Sequence, residues 1–161
     1  MKNYVLKDFI LQSMIAAIYV VLVFVFQFLS FETVQFRIAE VLLILVFFNK
    51  KHAIGLTLGT FVANYLMSPY GIVDALFGTL ATVVALTLMI IISKPKLLSL
   101  LFPAFSNAIV IGLMISIMNQ IPFLPIAMWV FLGEAAVMLV LGYPLYIYLD
   151  DNQHFKEIMG S

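Results

Sequence analysis

The chain has no cysteine, one arginine and one tryptophan, and only 10% of its residues are charged. Without cysteine there are no disulfides, iron–sulfur clusters or thiolate zinc sites. Soluble domains carry roughly a quarter charged residues. This chain has 65% apolar residues and a mean hydropathy of +1.17, which excludes a soluble fold and leaves an integral membrane protein. A net charge of zero gives no general attraction to nucleic acid. No glycine-rich loop ends in Lys-Ser or Lys-Thr, so ATP hydrolysis by that route is excluded. The two histidines, His52 and His154, both fall beside lysine-bearing gaps, which leaves no pair of axial haem ligands inside a membrane. No serine–histidine or paired-aspartate pattern suggests an intramembrane protease. No enzyme activity, cofactor or metal is expected.

What is present is long apolar runs. A spanning helix needs about 20 such residues, because the hydrocarbon core is about 30 Å thick and each residue rises about 1.5 Å. The candidate segments are 9–29, 38–48, 53–67, 72–92, 97–118 and 126–149. Turn-forming sequences separate them: Asn49-Lys50-Lys51-His52, Ser68-Pro69-Tyr70-Gly71, Lys94-Pro95-Lys96, and the stretch from Pro122 to Pro125. Lipid forces backbone groups to pair within their own segment, so each segment is expected to be helical. The second and third are short for spans. The first is longer than a signal-peptide core and lacks a small-residue cleavage site, so it is read as a retained span.

The lysines give the orientation. Lys2 and Lys7 precede the first run, Lys50 and Lys51 follow the second, Lys94 and Lys96 follow the fourth, and Lys156 follows the last. Basic residues in short loops stay cytoplasmic. The expected fold is therefore an all-α integral membrane bundle of six transmembrane helices with both termini cytoplasmic. Residues 1–161 are expected to form a single transmembrane domain with a short cytoplasmic tail at 150–161.

Function is sought in the outer half, where lipid should have excluded polar groups. An ionised carboxylate near the bilayer centre costs about 2.5 to 3.5 kcal/mol, and less toward the surface. Glu40, Asp74 and Glu134 all fall in outer halves, with Glu134 about 12 Å below the expected start of its helix. Arg37, three residues before Glu40, would share its helical face and pair with it. Two carboxylates then remain, and they need water, protons or a cationic, donor-rich ligand. Asn64 lies one turn from the outer end of the third segment, on a face with Thr60 and Ser68. Asp74 shares a face with Gly78 and Thr82, where glycine permits close approach. Gln35 and Trp129 complete a set able to hold a flat polar molecule, although Trp129 also fits an aromatic belt. Gln12, Gln27 and Asn107 are read as interhelical glue.

Gly55, Gly59 and Ala63 repeat every four residues, a spacing suited to close helix packing inside the bundle. Ser13 and Ala17 make a similar pair on the first span, where a partner helix competes with internal packing.

The stretch Val34-Gln35-Phe36-Arg37-Ile38-Ala39-Glu40 is followed by Gly55-Leu56-Thr57-Leu58-Gly59 and Ala63-Asn64. Next comes Asp74-Ala75-Leu76-Phe77-Gly78-Thr79-Leu80-Ala81-Thr82. This ordered run, extending from Ser13-Met14-Ile15-Ala16-Ala17 to Gly133-Glu134, resembles the queuosine-precursor transporter (QueT) family. The resemblance implies a six-helix substrate-capturing S component of an energy-coupling factor (ECF) transporter. Its implied partners are a transmembrane T component and two cytoplasmic ATPase subunits, which docking residues Ser13, Ala16 and Ala17 would meet. The implied cargo is a 7-deazaguanine in its aminomethyl or cyano form, or queuine. Three alternatives remain open at this level: an S component for another vitamin-like small molecule, a self-sufficient proton-coupled carrier, and a structural subunit without a ligand.

Overall fold

The computed structural model describes residues 6–30 and 35–160, so Lys2, Val34 and the ends of the chain lie outside the described residues. All regular structure among the described residues is helical. The elements are α1 (Leu6–Val25), a single turn at Gln27–Ser30, a 3-10 helix (Ile38–Phe47), α2 (His52–Met67), α3 (Ile72–Ile91), α4 (Lys96–Asn119), α5 (Phe123–Asp151) and a terminal α6 (Gln153–Met159). Helices α1, α3, α4 and α5 are long and apolar enough to cross a membrane. The protein is a multi-pass membrane protein. The first expected segment falls on α1 and the turn after it, and the other five each fall on one element; four of the helices have the length of a span.

Side-chain contacts fix the topology. Gln12 meets Gly55 while Gln27 meets Met67, so α1 and α2 run parallel. The 3-10 helix between them returns in the opposite sense, with Glu40 against Tyr19. Asn64 touches Asp74, Asn119 touches Tyr70, and Asn107 touches Glu134, so α2, α3, α4 and α5 alternate in direction. Consecutive helices pack side by side along this series, and the 3-10 helix touches α1, α2, α3 and α5.

The sequence of the 3-10 helix suits that central place. Three residues per turn sort it into rows Ile38-Val41-Ile44-Phe47, Ala39-Leu42-Leu45 and Glu40-Leu43-Val46. A segment apolar on every side belongs in the interior, and seven of its ten residues are buried. A rise of about 2.0 Å per residue stretches ten residues to about 20 Å, against about 15 Å for an α-helix. The same ten residues thereby reach about 5 Å further through the bundle interior than an α-helix would.

The outer surface is apolar, with Phe9, Phe24, Leu66, Ile91, Ile117 and Val140 all well exposed, whereas fifteen polar or charged residues among the described residues are buried. This inversion of the soluble pattern is what lipid as solvent demands. Close packing relies on Gly55 and Gly59. A Cβ at Gly55 would lie 2.6 Å from the Gln12 carbonyl oxygen, and one at Gly59 would lie 2.8 Å from the Tyr19 Cβ. The four-residue repeat therefore serves the α1–α2 contact inside the bundle.

The lysine-bearing gaps converge on one end. There Lys51 Nζ lies 2.5 Å from Asp8 Oδ2, and Lys96 Nζ sits 3.9 Å above the Phe47 ring. His52, fully buried, bridges two elements: Nδ1 lies 3.1 Å from Gln12 Nε2 and Nε2 lies 2.8 Å from the Met159 carbonyl oxygen. The residues read as a tail thus continue α5 and fold back as α6, burying Met159.

Candidate functional site

Near the opposite end, six elements and the irregular stretch before the 3-10 helix deliver polar side chains to one buried cluster. Glu40 and Glu134 are both 0% exposed, and Gln35, Arg37, Asn64 and Asp74 are nearly so. Gln35, Arg37, Glu40, Asn64, Asp74 and Glu134, six of the seven substrate-binding candidates, are brought together. Trp129 is not. It is 48% exposed and lies against Leu124, Pro125, Met128 and Leu132 on the outward face of α5. Its five-residue spacing from Glu134 turns it about 140° away around an α-helix.

Arg37 departs from the expected pairing. Its guanidinium makes an ion pair with Asp74, Nη2 to Oδ1 at 3.6 Å, and its Nε donates to Gln35 Oε1 at 3.2 Å. Arg37 precedes the 3-10 helix with ψ of 82°, outside helical geometry. The three-residue helical spacing to Glu40 therefore does not apply to it. Glu134, Tyr19 and Glu40 also lie within electrostatic range of Arg37. One cation thus faces three carboxyl groups.

The two glutamates have matching surroundings. Glu40 Oε1 accepts from the Tyr19 hydroxyl at 2.9 Å, and Glu134 Oε1 accepts from Asn107 Nδ2 at 2.9 Å. Each accepts one short hydrogen bond from a neutral donor on a neighbouring helix, and the Asn107 amide lies within interaction range of Glu40 as well. Each leaves its other oxygen, Oε2, buried without a hydrogen bond among the described residues, as does Asn107 Oδ1. Thr82 Oγ1, one face of α3 along from Asp74, is also buried and unpartnered. Orphaned buried acceptors are rare because each forfeits its hydration.

Asn64 Nδ2 donates to the Asp74 carbonyl oxygen at 3.4 Å. Gly78 makes room for it, since a Cβ there would collide with that amide nitrogen. Gly133 likewise lies flush against the Gln35 backbone, which brings the 3-10 approach close to α5. The expected small residue beside Asp74 therefore admits a side chain of the protein itself. Glu134 also lies deeper than its sequence suggested. Its helix begins three residues earlier, at Phe123, so the carboxyl is about 16 Å along it.

Tyr19 and Asn107 were missed as site residues. Tyr19 belongs to the buried stripe Gln12, Ile15, Tyr19, Val23 of α1, and that period was the available signal. Asn107 was read as glue, and its Nδ2 does join two helices; its Oδ1 does not. Gln12 and Gln27 serve as glue throughout. On α1, Ser13 and Ala17 are exposed, while Ala16 is half-buried against Gly59.

A family model described as QueT transporter matches residues 9–151. The chain is 34% identical over 94 residues to the queuosine precursor transporter QueT of Lactococcus lactis subsp. cremoris (strain MG1363), an alignment covering 57% of this chain and 54% of that relative. The match thus spans about half the length of the curated relative. No solved structure matches the chain.

Proposed function

The chain belongs to the QueT transporter family, and from that premise we propose that it is the substrate-binding S component of an ECF-type transporter. Its cargo would be a queuosine precursor: a 7-deazaguanine in its aminomethyl or cyano form, or queuine. On this reading all six segments cross the membrane, with both termini and the lysine-bearing end cytoplasmic, as the basic bias favours. Residues 1–161 act as one transmembrane domain. A T component and two cytoplasmic ATPases supply the energy for uptake. The exposed Ser13 and Ala17, with Ala16 at their edge, present a small-residue surface for docking.

The observation that carries the substrate reading is the excess of buried acceptors. Glu40 Oε2, Glu134 Oε2 and Asn107 Oδ1 all await donors, beside a single arginine. A guanine-like edge offers adjacent N–H donors that suit a carboxylate. Its carbonyl oxygen accepts, which suits the donors of Arg37, Asn64 or Gln35. An aminomethyl substituent is cationic and would engage a second carboxylate.

The test is calorimetric binding of a 7-deazaguanine to the purified protein. Glu134→Gln or Glu40→Gln is expected to weaken it about a hundredfold, the scale of a charged hydrogen bond lost from a dry site. Unchanged affinity in both variants would remove the assigned site, and no binding by the native protein would remove the substrate class. Uptake by this chain alone in vesicles carrying a pH gradient would instead indicate a proton-coupled carrier.

A further inference from the structure

Asn107 sits between the two glutamates. Its Nδ2 donates to Glu134 Oε1 at 2.9 Å, and its amide also lies within interaction range of the Glu40 carboxylate. The residue is 1% exposed. Were it glue alone, both ends of the amide would find partners, as they do in Gln12, whose Nε2 meets His52 and whose Oε1 accepts from the Gly55 amide. Asn107 Oδ1 has none among the described residues.

The bond to Glu134 also decides which way the amide points. With the Asn107 nitrogen donating to Glu134 Oε1, the amide oxygen on the other arm faces away from that contact. The joined pair therefore presents two acceptors, Asn107 Oδ1 and Glu134 Oε2, each buried and each lacking a donor. A group with two N–H bonds on one nitrogen can answer both. A primary aromatic amine has that form, and a lone ring N–H does not.

We propose that Asn107 is a ligand-contacting, specificity-determining residue which, jointly with Glu134, grips both hydrogens of an exocyclic amine on a purine-like ligand. Tyr19 is its positioning counterpart on the other side, fixing one oxygen of Glu40 so that the second faces the ligand. The assignment rests on the substrate reading above and extends it to one functional group of the cargo.

The experiment is a cycle of two proteins and two ligands: native and Asn107→Leu, each titrated with a 7-deazaguanine and with the same base lacking the 2-amino group. In the native protein, deleting the amine should weaken binding about a hundredfold. In the variant the same deletion should weaken it only about tenfold, because one of two acceptors is already gone. A purely structural asparagine would lower both affinities alike, and an equal amine penalty in the two proteins would overturn the assignment. If Asn107→Leu does not fold, the native protein with the N-methylated amine replaces it. Affinity should then fall at least about tenfold from loss of one N–H, and unchanged affinity would overturn the assignment. Failure of the native protein to bind any deazaguanine defeats the substrate reading and this inference together. Tight binding with no amine dependence defeats this inference only.

Discussion

The two ends of the bundle bury polar side chains in opposite ways. At the lysine-bearing end, Gln12 and His52 form a closed chain of contacts running from the Gly55 amide to the Met159 carbonyl oxygen. At the other end, Glu40, Glu134 and Asn107 are as deeply buried, yet each keeps an acceptor with no donor among the described residues. Burial alone therefore does not mark a functional group in this molecule. What separates the two ends is the completeness of their hydrogen bonding among the described residues. A satisfied network holds a fold together, whereas acceptors left open lower stability and are retained where something else must fill them.

The glycines show the same contrast, and they set the largest expected effect. Gly55 faces the Gln12 backbone, which cannot yield, while Gly78 faces the movable amide of Asn64. Gly55→Leu should destabilise the detergent-solubilised protein by about 3 kcal/mol through overpacking. Gly78→Ala should change stability little and ligand affinity measurably. Equal unfolding midpoints for the two variants would break the comparison.

A smaller effect has opposite signs at the two ends. Gln12→Leu orphans the Gly55 amide and one nitrogen of His52 and should lower ligand-free stability by about 1 to 3 kcal/mol. Glu134→Gln supplies a donor where none exists and should leave ligand-free stability unchanged or raise it by up to about 1 kcal/mol. Chemical denaturation without ligand measures both. A loss in Glu134→Gln as large as that in Gln12→Leu would make the acid cluster ordinary scaffolding. The smallest effect is assigned to Trp129, which touches neither end's network: Trp129→Phe should shift stability by no more than about 0.5 kcal/mol and leave affinity intact.

Much of the fold was legible because lipid makes hydropathy a strong signal. All six apolar segments and their breaks at Lys50, Pro69 and Pro95 reappear as elements and turns. The form of the second segment was not legible. Hydropathy reports what is buried and not how many residues make a turn, so nothing announced a 3-10 helix over Ile38–Phe47. The misplaced partner of Arg37 has a separate cause: Arg37 lies before the helix with a non-helical backbone, so the helical face it was to share with Glu40 does not exist there. The carboxylates were readable individually because each is anomalous in lipid. Tyr19 and Asn107 were not, since a tyrosine or an amide in a span is unremarkable until its neighbours are known.

The 3-10 geometry has a consequence for tolerated change. Each residue of such a helix turns the chain by about 120°, so three residues restore the original heading. Glu40 aims at Tyr19 near one end and Phe47 meets Lys96 at the other. Insertion or loss of one residue between them would swing one of those anchors onto the wrong side, whereas a change of three would preserve both headings and alter only the reach. The segment is indexed in triplets, and natural length variation inside it should be found in that unit or not at all.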